Sequence, residues 1–339
     1  MREGDGTIGG GDPAGDRTAG PRRGGQGQGG RRRGGEARDP VGATPVLDAT
    51  SLIFCTRDRP RMIVEAIASV LGGDAVPAEI VVVDQSAAPH PTLPTTVMPA
   101  GCTLRYVHTT SRGLSRARNE GVRAARHPIL AFTDDDCLAD PSWLRMLVGA
   151  LVAAGTGAAV SGRVLPVLER PDGYVPAVRL DDAPAVYTGR VLRDALVAGN
   201  LAIHRTDYEA LGGYDERLGA GSRYPASEDN DLGFRLLRSG RRIHFEPAAV
   251  VWHRAWRAGD AVVPQRWRYG YGQGAFYAKH VVAGERGALG LAGRRILQLA
   301  LRMPRRLAGR PRDALGDAAY LLGLAAGGVA WLRNERAGR

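Results

Sequence analysis

From about Thr50 the chain alternates short, continuously apolar runs with longer amphipathic stretches. The runs "SLIFC" (51–55), "EIVVVD" (79–84), "TLRYV" (103–107) and "PILAFTD" (128–134) are continuously apolar or β-rich, as strands covered on both faces tend to be. Between the first two, "RPRMIVEAIASVLGG" sets Met62, Ile63, Ala66, Ile67, Val70 and Leu71 at helical spacing and stops at Gly72-Gly73. Between the third and fourth lies the polar, helix-like "GLSRARNEGVRAARH". Strand, helix, strand in repetition predicts an α/β fold with a largely parallel, doubly wound, Rossmann-like sheet flanked by helices. Beyond it the sequence predicts a helix in "DPSWLRMLVGALVAAG" with Asp140 as N-cap and Pro141 at its first position. Strands follow at 158–166, 196–204, 241–247 and 248–253, with a helix opening at "SEDNDLGFRLLRSG" between Ser227 as cap and Gly240 as stop.

Residues 1–45 carry many glycines and almost no apolar side chains, so burial cannot offset their ordering entropy, and a disordered tail is expected. This divides the chain into a tail (1–45), a folded unit (46–256) and a basic, mostly helical C-terminal extension (257–339). Charge sharpens that division. Residues 254–339 hold 16 cations against five acids, a balance of +11, whereas residues 1–40 and 41–253 balance at +2 and −2. A basic end suits an anionic membrane leaflet, or is a solvated arginine face. Nucleic acid is not expected, because the Gly/Arg tail lacks aromatics to stack on bases. "RRILQLALRMPRRLAGRPR" alternates arginines with apolar residues at helical spacing, as an interfacial helix or a packed lid would. The uncharged run Ala318–Leu332 falls short of the roughly 20 residues of a spanning helix. Cys55, Cys102 and Cys137 form no CxxC pair, which favours a reducing, cytoplasmic compartment, with peripheral placement at the inner face of the plasma membrane as an option.

The candidate chemistry sits where strands end. In open parallel sheets ligands bind beyond the carboxyl ends of the strands. Asp84 ends one strand, and Asp134, Asp135 and Asp136 end another. Three adjacent carboxylates are best compensated by a hard divalent cation, Mg²⁺ or Mn²⁺, sharing substrate phosphates; a turn or helix cap is the plainer reading. Of Arg112, Arg116 and Arg118, the last two cannot both face one pocket from a helix, so at most one is expected to bind phosphate. Glu228, Asp229 and Asp231 open a helix whose dipole favours ionised carboxylates, and an ionised Asp229 facing a pocket suits a general base. His253 is a metal ligand or a polar strand end.

Taken in order, these motifs resemble a family 2 glycosyltransferase of the GT-A fold over about Ser51 to His253. "SLIFCTRDRP" is similar to that family's first strand and turn, "EIVVVDQS" to its second strand end, and "GLSRARNEG" to its Ala-Arg-Asn segment. "FTDDDCLADPSWL" is similar to its aspartate-rich metal motif, "GGYDERL" to its Gly-Gly-Phe-Asp-Glu turn, and "EDNDLGFRL" to its Glu-Asp-x-Asp motif. The resemblance implies a nucleoside-diphosphate sugar donor, a hydroxyl acceptor and a divalent metal. It places Thr56, Arg57, Asp84, Arg118, Asn119, Asp134 and Asp135 at the nucleotide-sugar, Asp134, Asp136 and His253 at the metal, and Asn200 and Glu228 near the donor sugar or acceptor. Asp229 is then the base of an inverting displacement. Two rivals stand beside this reading. A nucleotidyltransferase would be expected to carry a Gly-rich phosphate loop after its first strand, and "CTRDRPRM" has no glycine. A non-catalytic membrane-docking scaffold would not need the full set of carboxylates.

Overall fold

The structure, a computed structural model, describes residues 46–169, 177–191, 193–256 and 259–336. The tail 1–45 expected to be disordered lies outside the described residues. Strands β1 (Val46–Thr56), β2 (Val76–Asp84), β3 (Thr103–His108) and β4 (Ile129–Asp134) form the parallel array 3-2-1-4 that the apolar runs predict. All nine residues of β2 are buried, because helices cover both of its faces. One is α1 (Pro60–Leu71), whose buried Ile63, Ala66, Ile67 and Val70 lie on a single face. The other is α2 (Leu114–Ala124), which passes so close over β1 that a Cβ on Gly121 would lie 2.6 Å from the Ile53 side chain.

Beyond β4 the sheet becomes mixed. Antiparallel β8 (Asn200–His204) follows β4, then β6 (Ala158–Leu168), then β9 (Arg242–Ala255), parallel to β6. Both β5 (Cys137–Ala139) and β7 (Ala185–Thr188) pair antiparallel with β9. Three expectations shift here. The runs 241–247 and 248–253 are one strand, bulged where residues 247–249 have no partner opposite Gly162/Arg163. Only the second half of 196–204 is strand. Helix α3 (Trp143–Ala154) starts two residues later than the Asp140-Pro141 signal, since Asp140 turns its carboxylate onto the Ser142 amide (3.1 Å) and hydroxyl (3.0 Å).

The short α4 (Arg205–Ala210) and the helix α5 (Glu228–Arg238) complete the folded unit. Ser227 precedes α5 in a left-handed conformation (φ +72°) and gives its Oγ to Gln273 (2.8 Å) rather than capping the helix. Three long helices follow: α6 (Val262–Val282), α7 (Arg286–Gly309) and α8 (Pro311–Arg336). Helices α6 and α8 touch backbone to backbone, since a Cβ on Gly270, Gly274, Gly323 or Gly327 would collide with a main-chain carbonyl or amide of the partner helix. Expected from Ala318–Leu332 alone, α8 is longer than that apolar run. Its Pro311–Asn334 stretch is long and apolar enough to cross a membrane by length and composition, and a third of that window is buried. Pro304 lies within α7 without ending it. The extension packs on the folded unit through Leu218, Tyr224, Ala275 and Trp331, and through Phe234 against Phe276.

Candidate active site

A cleft of about 490 Å³ opens at the carboxyl ends of β1 and β4. Thr56 and Arg57 line it from the end of β1, Asp134, Asp135 and Asp136 from the end of β4, Arg118 from α2, and Glu228 and Asp229 from the start of α5. Residues as distant in sequence as Thr56 and Asp229 thus meet because β1 and β4 are neighbours and α2 and α5 bring their ends to the same rim.

Each of the three aspartates has a different surrounding. Asp134 accepts from Arg118 Nη2 (2.9 Å), and its Oδ2 faces Gly199, where a Cβ would stand 2.7 Å away. Asp135 has both oxygens occupied, by Thr56 Oγ1 (2.7 Å) and Arg59 Nη1 (2.7 Å). Burial pushes its carboxyl up to about 6 against the pull of Arg59. Asp136 accepts from Trp256 Nε1 (3.0 Å) and Arg59 Nη1 (3.3 Å) on Oδ2, while Oδ1 faces His253 Nε2 at 3.4 Å. Burial acts to raise Asp136, but the hydrogen bond and charge from His253, with Arg59 and Trp256, outweigh it and hold the carboxyl well below the usual range.

The donor set fits a divalent metal. Ligand atoms of Asp134, Asp136 and Cys137 lie within 4.8 Å of one another; burial keeps the Cys137 thiol protonated, so the hard donors there are the two carboxylates, with His253 Nε2 beside Asp136 Oδ1. His253 Nδ1 stands 3.0 Å from the Ala177 carbonyl and Nε2 faces Asp136 Oδ1 at 3.4 Å, so a proton given up by Nε2 would leave that nitrogen free to ligate a metal while Nδ1–H keeps its bond to the carbonyl. Carboxylate oxygens with one imidazole suit Mn²⁺ or Mg²⁺.

Opposite this group stands the Glu228-Asp229 pair. Arg118, buried and stacked over Tyr214 at 5.2 Å, spans the gap: Nη1 reaches Glu228 Oε1 (3.2 Å) and Asp229 Oδ1 (3.8 Å), while Nη2 holds Asp134. Asp229 Oδ2 accepts from the Ala198 amide (3.1 Å). Burial, then the charge of Asp229, pushes Glu228 up to about 8, so near neutral pH it keeps its proton beside Asp229.

Three expected site residues lie elsewhere. Asn119 is spent on the fold: its Nδ2 donates to Tyr214 O (3.0 Å) and Glu216 Oε1 (3.1 Å), and its Oδ1 accepts from Tyr208 Oη (2.6 Å) and the Tyr214 amide (2.9 Å). With every donor and acceptor satisfied, it pins the 214–216 turn and offers nothing to a ribose or diphosphate. Asn200 is fully buried, bonded to Trp143 Nε1 (2.9 Å) and to the carbonyls of Arg163 (2.9 Å) and Ala249 (2.8 Å). It fills the bulge between β6 and β9 and does not line the cleft. Asp84 is also buried, accepting from Tyr106 Oη (2.6 Å) and the Ser86 amide (2.9 Å), while its neighbour Gln85 lines the cleft.

Sequence reasoning missed Arg59, Trp256 and an entire wall. The helical extension contributes Gln265, Arg266, Tyr269, Gln273, Arg295 and Tyr320 to the cleft. Arg59 carried a usable signal, being the residue before Pro60 at the first position of α1. The wall had none, since its members are scattered over three helices.

Comparison with known proteins places this geometry. Residues 51–176 match the model of the family described as Glycosyl transferase family 2. The chain is 30% identical over 169 residues to a pre-mycofactocin glycosyltransferase of Mycobacterium tuberculosis, a match covering 45% of this chain and 33% of the relative. It is 24% identical over 215 residues to a glucosyl-dolichyl phosphate glucuronosyltransferase of Haloferax volcanii, covering 60% and 68%. The match thus spans about a third of the length of the mycobacterial relative. In fold it is similar to a mannosyltransferase from Pyrobaculum calidifontis solved with GDP-Man and Mn²⁺, at TM-score 0.54 and 18% identity, covering 83% of this chain and 87% of that one. It is equally similar to residues 1–349 of TarS from S. aureus, at TM-score 0.54 and 13% identity, covering 86% and 92%.

Proposed function

We propose that this chain, which matches the family 2 glycosyltransferase model over residues 51–176 and shares the fold of a nucleotide-sugar mannosyltransferase, moves a sugar from a nucleoside diphosphate to an acceptor hydroxyl by a single, inverting displacement. The carrying observation is the position of Asp229 across one cleft from Asp134, Asp136 and His253, with Arg118 between them. Asp229 removes the acceptor proton, and the freed oxygen forms the new bond at the anomeric carbon as the bond to the diphosphate breaks. One displacement inverts the configuration. The Ala198 amide fixes the Asp229 carboxylate, and Arg118 keeps it oriented. Asp134, Asp136 and His253 would hold Mn²⁺ or Mg²⁺, which supplies charge stabilisation to the departing diphosphate. Thr56 and Arg57 border the nucleotide half of the cleft, and Arg59 and Asp135 brace it from behind. Two relatives in fold were solved with a nucleotide sugar or with a nucleotide and Mn²⁺, which supports the donor class.

The acceptor half is the wall built by the extension. Its tyrosines, glutamines and arginines suit a polyhydroxylated or anionic acceptor of the cell-envelope, glycolipid or secondary-metabolite kind. The outer side of the extension carries exposed Leu289, Ile296, Leu297, Leu301 and Leu307 among arginines 294, 302, 305 and 310. This face suits peripheral docking on an anionic leaflet from the cytoplasmic side.

Asp229→Asn tests the assignment. General-base help is worth about 10²–10⁴-fold, so turnover should fall by that factor while calorimetric binding of UDP or GDP with Mn²⁺ stays near wild type. Near-normal turnover by the variant removes Asp229 from the mechanism. Loss of nucleotide binding in Asp136→Ala alone, with Asp229→Asn binding normally, separates the metal half from the base half.

A further inference from the structure

Trp256 follows β9 directly and stands three residues after His253, on the other side of Asp136. Its indole N–H donates to Asp136 Oδ2 at 3.0 Å, and the Arg59 guanidinium lies over its ring at 4.7 Å while reaching the same Oδ2 at 3.3 Å. Two protein donors therefore converge on one oxygen of Asp136, and the other oxygen is turned to His253 Nε2. Asp135, the neighbouring carboxylate, has both oxygens engaged by Thr56 and Arg59.

We infer that Trp256, braced by Arg59, is a positioning residue that makes Asp136 a one-oxygen ligand and thereby selects small, six-coordinate cations over Ca²⁺. This rests on the metal reading proposed above. The physical reason lies in coordination mode. A carboxylate with two accessible oxygens can chelate through both, a mode that suits the larger and more flexible shell of Ca²⁺. With one oxygen held by N–H donors, the carboxylate offers a single, directed lone pair, which suits the tighter octahedral shell of Mg²⁺ or Mn²⁺. Outer partners of this kind change metal affinity by about 10–100-fold when removed. The indole also stands in hydrogen-bond contact with a ligand residue, so a paramagnetic ion held by Asp136 lies close enough to quench its emission.

Trp256→Phe keeps a ring beneath Arg59 and removes only the N–H. The experiment measures Mn²⁺ uptake by the EPR signal of free ion, and Ca²⁺ by competition, for the full chain with Mn²⁺ alone and with UDP or GDP added. Tryptophan emission is recorded in parallel. The inference expects Mn²⁺ affinity about 10-fold lower in Trp256→Phe, a smaller loss for Ca²⁺, and disappearance of an Mn²⁺-dependent quench that wild type shows and EDTA reverses. Unchanged Mn²⁺ affinity and Mn²⁺/Ca²⁺ preference in a variant that melts like wild type overturn it. Should Trp256→Phe fail to fold, Arg59→Lys is the second variant: it keeps the charge, loses the planar stack, and is expected to lower Mn²⁺ preference in the same direction, with no change again overturning the inference. Wild-type protein that takes up no Mn²⁺ in any mixture overturns this inference together with the metal reading, a result distinct from equal binding by wild type and variant.

Discussion

Glu228 and Asp229 are adjacent carboxylates on one helical turn, and their surroundings give them different work. Burial and the charge of Asp229 push Glu228 up to about 8, above the ordinary value for glutamate, so it is neutral below that pH and ionised above it. Ionised, it would place a second negative charge beside the proposed base and near a departing diphosphate. Turnover in the wild type should therefore fall as pH rises through about 8, and Glu228→Gln, neutral at every pH, should lose that alkaline limb. A limb that persists unchanged in a pH–rate profile of the variant assigns it to another group. The motif around these residues was legible as a row of acids at a helix start. The raised value of Glu228 was not, because it comes first from burial, which the fold creates by packing distant segments around the helix start. Asn119 shows the reverse case. Its place in the Ala-Arg-Asn segment marked it as a ligand, while the four bonds that consume it run to residues 208, 214 and 216, beyond the reach of any local pattern.

At the scale of elements, the central parallel strands β1, β2 and β4 could be read from apolar runs because their cores are covered on both faces, and the half-buried edge strand β3 from its β-rich residues. The mixed half could not be read as well. Short β5 and β7 carry too few residues to show a period, and the β6–β9 bulge depends on Asn200 filling it from β8. Helix α5 is tied to α6 by a buried carboxylate, Asp231, which accepts from Lys279 (2.5 Å), His280 (2.8 Å) and Arg235 (2.8 Å). Burial acts to raise Asp231, but these three partners hold it well below the usual range. Its contribution to stability is present above the unfolded value near 4 and is lost as pH falls through the lowered folded value. Asp231→Ala leaves three cationic or polar groups facing an empty site, and should destabilise by about 3–5 kcal/mol. Denaturant unfolding at neutral pH and at pH 3 checks this: the gap between wild type and variant should narrow at the lower pH. An equal gap at both values would show that lost packing, not charge, carries the cost.

In the whole molecule the extension has two sides. The inner side closes the cleft with Tyr269, Gln273 and Tyr320, and the outer side leaves leucines and arginines in solvent. The sequence offered lid and membrane surface as alternatives, and the structure shows the packed side while the outer face remains compatible with docking. Flotation with liposomes containing phosphatidylserine should carry the full chain upward, and high salt or replacement of Leu297 and Leu301 by Ser should reduce the floated fraction severalfold. A full chain that stays with the soluble fraction at low salt removes membrane docking from the proposal.

The strand β5 is three residues long, and its ladder partner is β9, with Cys137 opposite His253, Leu138 opposite Trp252 and Ala139 opposite Val251. So short a ladder has few hydrogen bonds of its own and is held mainly by packing, with Cys137, Val251 and His253 buried. Asp136 stands at one end of it and His253 lies within it, so an ion held by both would stitch the two strands together. Opening of this corner and occupancy of such a site would then be one equilibrium: loosening Leu138 or Val251 would weaken the grip on the ion, and a filled site would slow the exchange of the amides around it.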